Sequence, residues 1–461
     1  MKKRFILLAT LLLTGFLPVT KTSAQTTTTT TNQYTLQQCI DYALKNYNDV
    51  KNAELDIQSA AARVGEVKGA GLPKIAVKAS IIDNPDLTRS YFDGGNPFAG
   101  SLIPGAQAGT VYGVPNSFQV RSSGDASVTL SQLLFDGSYF LGLKASSVYK
   151  ELASKSLTQT KITVVENVTK AFYLVLINNE RLVLLNANVS RIDSLLKNTQ
   201  GLQKEGFAEQ LDADRIEVTR NNLLAELTKS NQLNEVTALL LKYQMGMPLT
   251  DSLSLTGDVK DIQVEAIDKN AVVNPKSRIE YSLLETQLEF ERLNFKSDKA
   301  KFLPSLSGFA TGGYNRSENT VPKLFQNTWY KYSMWGLNLS VPIIDGGSKI
   351  YKVKQSRYAY QKAENNLTFF AQTVDLQAKQ SMATLNNEIE NLKIQRRNLE
   401  LATKVVRVAK IKYTSGTASN IEVVEAENAF KESQTNFYNA VYNTLIAKID
   451  YQKSTGTLYT E

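Results

Sequence analysis

The residues able to do chemistry in this chain are few, and most are acids. There is no histidine, and Cys39 is the only cysteine. This removes imidazole acid–base catalysis, the serine–histidine–aspartate triad, and histidine or thiolate metal sites. What remains are carboxylate pairs, Glu388/Glu390 and Glu425/Glu427, and two turns, Asp136-Gly137 and Asp345-Gly346-Gly347. Paired carboxylates can serve as general acid and base, and an Asp-Gly turn ahead of a helix resembles a phosphate loop. The pairs, however, lie in charge-rich helical stretches, where a solvated face looks the same. The turns lack the lysine and glycine spacing of a P-loop. An aspartate at a helix N-terminus, with glycine turning the chain, accounts for them. No catalytic constellation, metal set or cofactor motif emerges, so no enzyme activity is expected.

Charge and targeting narrow the class further. The chain has 461 residues, with 52 basic against 44 acidic. Residues 1–24 read as a signal peptide: Lys2, Lys3 and Arg4, then an apolar run Phe5–Leu17, then Thr22-Ser23-Ala24 before a cut at Gln25. The apolar run is too short to span a bilayer as a helix. Four basic residues and no acid lie in that segment, leaving 48 against 44. The balance is ordinary, and no nucleic-acid partner is expected. Cys39 falls past the cut among Leu36, Ile40 and Ala43 and reads as a core thiol. No later stretch is apolar enough for a spanning helix, so the exported protein is soluble, secreted, or a β-barrel.

The elements that position the acids follow from periodicity. A Thr-rich linker covers residues 25–35. A helix is expected from Leu36 to about Ala70, stopped by Gly71-Leu72-Pro73. Ile75, Val77, Ala79 and Ile81 then alternate with polar or small residues, as a strand does. Residues 84–117 read as a loop, and strand periodicity returns at Val128, up to Leu134-Phe135. Helices are expected at about Ser138–Gln200 and Glu209–Gln244, ended by Gly246-Met247-Pro248. Residues 249–277 form a mixed connecting segment. The order then recurs: helix from about Arg278 to Lys301, a hairpin at about 305–343 with a polar loop at 317–327, and helices at about Ser348–Tyr413 and Asn420–Lys453. Residues 456–461 are a tail.

Landmarks match in order: Gly71-Leu72-Pro73 with Phe302-Leu303-Pro304, Phe135-Asp136-Gly137 with Ile344-Asp345-Gly346, and Gly206 with Gly416. The chain therefore reads as a tandem duplication, residues 36–248 and 278–455, with strand hairpins at about 74–134 and 305–343. The long helices would each measure roughly 95–100 Å. Two short ones end to end about equal one long one, so a helical tube is expected, with strands at one end.

Aromatics flank both hairpins: Tyr91, Phe92, Phe98, Tyr112 and Phe118 in the first, and Phe309, Tyr314, Phe325, Trp329, Tyr330, Tyr332 and Trp335 in the second. Alternation with clustered aromatics fits a membrane barrel, with Trp329, Tyr330 and Trp335 as its aromatic belt. Trp335, Leu337, Leu339 and Val341 should face lipid; Ser80, Thr129, Gly336, Asn338 and Ser340 should face the lumen. Four strands cannot close a barrel, so several chains must combine.

Four motifs carry a family resemblance across about Leu36 to Leu458. They are Leu36-Gln-Gln-Cys-Ile-Asp-Tyr-Ala-Leu44, Phe302-Leu-Pro-Ser-Leu306, Val341-Pro-Ile-Ile-Asp-Gly-Gly347, and Tyr413-Thr-Ser-Gly-Thr-Ala-Ser-Asn-Ile-Glu-Val-Val-Glu-Ala426. In these the chain resembles the TolC-like outer-membrane efflux protein family. The resemblance implies a mainly α fold with a membrane β-barrel: a homotrimer whose 12-stranded barrel (four strands per chain) continues into a long α-helical periplasmic tunnel. It implies a place in the outer membrane of a Gram-negative bacterium, in contact with outer-membrane lipid. It also implies an exit channel for a tripartite efflux pump or type I secretion system, with a periplasmic adaptor and an inner-membrane transporter of RND or ABC type. Turns around Gly206, Ala208, Gly416 and Ala418 would dock the adaptor. Asp212, Glu422 and Glu425 match acids at the family's periplasmic aperture. The family's basic latch position is Ala418 here, so a latch is either missing or moved to Lys410, Lys412 or Arg215. A coiled-coil adhesin would not need two aromatic hairpins at matching places, and a carboxylate enzyme would need a compact pocket.

Overall fold

The computed structural model describes residues 33–116, 119–257, 259 and 274–459. The signal peptide, most of the Thr-rich linker, Phe118, most of the 249–277 connection and the last two tail residues lie outside the described residues. In chain order the elements are β1 (Gln33–Tyr34), α1 (Leu36–Asn46), α2 (Asn48–Ala70), β2 (Lys74–Asp83), β3 (Arg89–Asp93), α3 (Pro97–Leu102), β4 (Val111–Pro115), β5 (Ser122–Phe135), α4 (Gly137–Lys204), α5 (Gln210–Met245), β6 (Ser254–Leu255), α6 (Ile279–Ala300), β7 (Ser305–Glu318), α7 (Val321–Gln326), β8 (Tyr330–Ser340), α8 (Ser348–Thr414) and α9 (Asn420–Thr455).

The two Pro-free segments fold into unbroken helices, α4 of 68 residues and α8 of 67, each roughly 100 Å long at 1.5 Å per residue. Both start where an aspartate precedes glycine. Asp136 Oδ1 accepts from the backbone N–H groups of Ser138 (2.7 Å) and Tyr139 (3.1 Å). Asp345 accepts from those of Gly347 (3.1 Å) and Lys349 (3.0 Å). The Asp-Gly turns are thus helix starts in which a carboxylate satisfies N–H groups that have no partner within the helix.

The shorter helices lie along the long ones, α2 (23 residues) and α5 (36) on α4, α9 (36) on α8, and α6 (22) against both α4 and α8. The short helices meet at tight joins. Gly246 ends α5 with φ 68°, and a β-carbon there would stand 2.8 Å from the Asn46 carbonyl oxygen. Gly456 ends α9 with φ 76°, and a β-carbon there would stand 2.5 Å from the Ser277 carbonyl oxygen. Only glycine combines that conformation with that approach. The apolar interior concentrates around these joins, with Cys39, Val168, Phe172, Ile177, Leu241, Met245 and Val441 buried together. A second cluster, including Leu185, Ile192, Leu195, Ile216, Leu223 and Val423, lies toward the glycine turns at 206 and 416.

Strands β2, β5, β7 and β8 form one antiparallel sheet in the order β2-β5-β7-β8, with a register irregularity between Leu133 and Phe135. The sheet is open, with β2 and β8 at its edges.

Four expectations need correction. The helix expected over 36–70 is two, broken at Tyr47, whose backbone is extended (φ −65°, ψ 134°). The apolar spacing runs on through the break, which seats Gly246. The 84–117 loop contains an antiparallel ribbon, β3 with β4, and the short helix α3. Asp93 closes its end by accepting from Gly95 N (2.8 Å) and Gly109 N (3.0 Å). The polar loop at 317–327 holds α7. The linker ends in a strand, since Gln33 and Tyr34 pair in parallel with Ser254 and Leu255.

Candidate functional site

Directly paired residues of an antiparallel sheet share a face, so the register sorts the side chains. Ile75, Leu130, Ala310 and Trp335 align across the four strands, followed by Val77, Val128, Gly312 and Ser333. Leu306 with Leu339 and Gly308 with Leu337 extend the same face toward the helices. This face is apolar and exposed; Trp335 is 83% exposed. The opposite face carries Ala76, Thr129, Thr311 and Met334, then Ser80, Asp125, Asn315 and Tyr330. It is hydrogen-bonded within itself. The Thr129 and Thr311 hydroxyls lie 2.9 Å apart, and the Tyr332 hydroxyl donates to Asp125 Oδ2 at 2.7 Å. Asn338, Ser340 and Gly336 lie there too, with the Phe309 ring against Gly336.

The belt residues divide between these faces. Trp329 has the parity of Trp335, and its ring lies over Gly124, which pairs with Ile81 on the apolar face. Its Nε1–H donates to the Leu324 carbonyl at 2.9 Å. Tyr330 alternates to the polar face, paired with Asn315. Period two thus sets Tyr330 on the face opposite both tryptophans.

At the far end of the helices, the two glycine turns have the same form. Gly206 (φ 80°) follows α4 and Gly416 (φ 74°) follows α8. Phe207 N–H bonds the Leu202 carbonyl at 2.7 Å, and Thr417 N–H bonds the Lys412 carbonyl at 2.9 Å. The surfaces differ. Phe207 is 81% exposed, whereas Thr417 donates its hydroxyl to Lys412 O. Ala208 and Ala418 are half-buried beside them.

Asp212 and Glu422 each stand six residues after their glycine, yet their surroundings differ. Glu422 Oε1 accepts from the Ser419 backbone N–H (3.4 Å) and hydroxyl (3.3 Å), a capping box that starts α9. Glu422 and Glu425 are exposed and line one groove with Lys404, Val405, Val408 and Lys412 of α8. Asp212 instead backs onto buried Asn420, whose Nδ2 donates to the Asp212 carbonyl at 2.9 Å. Arg215 Nη1 stands 4.0 Å from the Asp212 carboxylate. Asn420 occupies the face of α9 opposite Glu422 and Glu425. A single chain therefore brings the two glutamates together and holds Asp212 apart from them.

Periodicity did not reveal the polar seam between α4 and α9. Asn188 Nδ2 donates to Gln434 Oε1 (3.0 Å), with both residues buried, and Arg191 pairs with Glu427 (3.3 Å) over the Phe430 ring. The Arg181 guanidinium donates to Asn439, and beside the seam the Thr199 hydroxyl of α4 lies 3.0 Å from the Tyr413 hydroxyl of α8. Asn188, Thr199, Glu427 and Gln434 fill helical positions that read as polar surface, and only the packing shows them buried.

A second charged cluster sits near the start of α6. Lys170 Nζ donates to Glu166 (2.8 Å) and Asp450 (2.6 Å), and Lys453 Nζ donates to the other Glu166 oxygen (2.7 Å). Burial opposes the Glu166 charge, but the two ammonium groups outweigh it and hold the carboxyl below its usual range. Glu280 behaves likewise, with burial outweighed by Arg278 at 2.7 Å. Cys39 is fully buried, and burial pushes its thiol up to about 12, as expected of an inert core residue.

The model of the Outer membrane efflux protein family matches residues 39–239 and 284–457. Outer membrane protein TolC of Vibrio cholerae is 21% identical over 78% of this chain and 83% of its own length. Proteases secretion protein PrtF of Dickeya chrysanthemi is 19% identical, covering 72% of each chain. The crystal structure of the Campylobacter jejuni CmeC outer membrane channel superposes with a TM-score of 0.74 at 17% identity, over 92% of this chain and 86% of that one. With its apolar-faced sheet continued by helices roughly 100 Å long, this chain belongs to the outer membrane efflux protein family, whose members are outer-membrane exit channels of efflux and type I secretion systems.

Proposed function

We propose that three copies of this chain form one duct, the free edge of β8 in each copy pairing with β2 of the next. The observation that carries this is the four-stranded sheet, open at both edges and apolar on one face only. Open edges are not stable in lipid, and a closed barrel satisfies them. Three sheets give a 12-stranded barrel, with Trp329 and Trp335 in its outer belt. The helices below it line a periplasmic tunnel, and the matching turns at Gly206/Gly416 and Gly246/Gly456 fit a tandem duplication. The duct is passive, receiving substrate from an inner-membrane transporter of RND or ABC type through a periplasmic adaptor. PrtF, named for protease secretion, keeps type I secretion open beside small-molecule efflux.

The turns at Gly206–Ala208 and Gly416–Ala418 dock the adaptor, being exposed breaks at the end of a rod. Glu422 and Glu425 ring the aperture at that end, and three copies converging there concentrate negative potential. Asp212 lies behind them, on the α5 side. Fractionation and crosslinking test the proposal together. The chain should enter the outer membrane as a heat-labile trimer, and cysteines at Ala208 or Ala418 should crosslink to an adaptor in cells. A soluble monomer would refute the duct, and crosslinks only from the 84–117 segment would reverse its orientation.

A further inference from the structure

The strand–helix junction carries a dense cationic band that neither the gate nor the adaptor surface uses. Across residues 296–301 and 349–357 there are seven basic residues, Lys296, Lys299, Lys301, Lys349, Lys352, Lys354 and Arg357, and one acid, Asp298. Asp298 is taken by Lys301 at 2.8 Å. Among the described residues the other six make no ion pair. They lie on the last two turns of α6 and the first three of α8, within roughly 15 Å of helix rise from the sheet.

Three of the lysines are set over aromatic rings. Lys299 Nζ is 4.3 Å from the Phe295 centroid, Lys349 Nζ 6.0 Å from Phe302, and Lys354 Nζ 5.3 Å from Tyr351. Phe295 in turn stacks on Tyr360 with centroids 6.4 Å apart, joining α6 to α8. Just above, Ile343 and Ile344 are 88% and 90% exposed, continuing the apolar face of Leu337, Leu339 and Val341. Moving down the chain, apolar side chains thus give way to aromatic rings bearing ammonium groups. The same order runs through a bilayer interface, from acyl chains to headgroups.

From this order we infer that the junction is a binding surface for anionic phospholipid headgroups of the periplasmic leaflet. The inference rests on the barrel proposed above, which places the band at that leaflet. Each ring holds its lysine near the headgroup level by cation–π attraction, and the unpaired ammonium groups are left to bind phosphate. Charge complementarity and continuity with the apolar face both favour lipid over a protein partner, which would have to approach through the headgroups.

The test uses the full mature chain in detergent, titrated with phosphatidylglycerol, phosphatidylethanolamine or inorganic phosphate. Retained lipid is read by native mass spectrometry, and oligomer survival by heating. Phosphatidylglycerol should be retained several-fold over phosphatidylethanolamine and raise the dissociation temperature. Inorganic phosphate alone should do neither. In the Lys299→Gln/Lys349→Gln/Lys354→Gln variant the preference should fall to parity between the two lipids. Lys379→Gln/Lys393→Gln/Lys448→Gln, farther along α8 and α9, should keep it. Equal retention of both lipids by the parent trimer, or a preference surviving in the junction variant, would overturn the inference while leaving the barrel intact. Protection by free phosphate alone would make this an anion site and overturn the lipid assignment. If the junction variant assembles poorly, lipid retention is measured on its trimeric fraction alone. A parent chain that never inserts would sink the barrel and this surface together.

Discussion

The Asn420 side chain donates to the backbone carbonyl of Asp212 at 2.9 Å, across 208 positions of sequence. The bond ties the first turn of α9 to the first turn of α5 in the region proposed to open. Asn420 is 6% exposed, and its Oδ1 is buried without a partner, so the pairing is half-satisfied. Replacing Asn420 with Ala removes the one good bond and the unsatisfied oxygen together, so the net loss should be modest, about 1 kcal/mol. Amide exchange around 206–216 and 414–424 should quicken in Asn420→Ala with the rest of α4 and α8 unchanged. Exchange as slow as in the parent would show that the two turns are held by other contacts.

Glu422 caps α9 and is also proposed to ring the aperture, and the two roles can be separated. Glutamine at the third helical position also completes a capping box. Glu422→Gln/Glu425→Gln should therefore keep the helix start and the trimer while removing six carboxylates from the throat. Planar-bilayer recording should show weaker cation selectivity and weaker block by multivalent cations, which bind carboxylate oxygens. Unchanged selectivity and block would assign both glutamates to the solvated outer face, and the aperture would have to lie elsewhere.

The sheet register separates neighbours sharply. Leu337 pairs with Gly308 on the apolar face, and Asn338 pairs with Ser307 on the polar one. Leu337→Arg should impair insertion by roughly 2–4 kcal/mol if it lies near mid-bilayer. Asn338→Arg should insert normally and change conductance instead. Folding yield into vesicles measures both, and equal yields would contradict this assignment of faces.

How much of this was legible depends on the kind of signal each element leaves. The long helices, the strand pairs and the glycine turns were readable because periodicity and Gly-Pro punctuation are local. The break at Tyr47 was not, since its cause is a tertiary contact with Gly246. The ribbon at 89–93 and 111–115 hid among glycines and prolines that also suit a loop. Period two sorts the positions around Trp335 into an apolar and a polar face, and the register puts Tyr330 opposite Asn315 on the polar one. At the tip, the shared six-residue spacing made Asp212 and Glu422 look alike. Only packing shows one backed onto Asn420 and the other facing α8. The α4–α9 seam left no trace, because a buried Asn188 and an exposed asparagine have the same letter.

The Glu166 cluster makes a pH prediction with a definite sign. Glu166 and Glu280 are held below their ordinary 4.5. Each therefore adds stability that is fully present above about pH 4.5 and is lost as pH falls through the lower folded value. Lys170 is shifted the other way: burial opposes its charge, but the Asp450 and Glu166 carboxylates outweigh burial and raise it above 10.5. Its contribution is fully present below that pH and fades as pH rises through the folded value. Between these limits the cluster is at full strength. Glu166→Gln leaves Lys170 with Asp450 but strips Lys453 of its carboxylate partner, which should cost about 2–3 kcal/mol at neutral pH. Thermal unfolding of variant and parent should show that gap near pH 7 and its closure as pH falls through the lowered Glu166 value, below which the parent's Glu166 is itself protonated. A gap constant across the range would mean that the substitution acts through packing and not through charge.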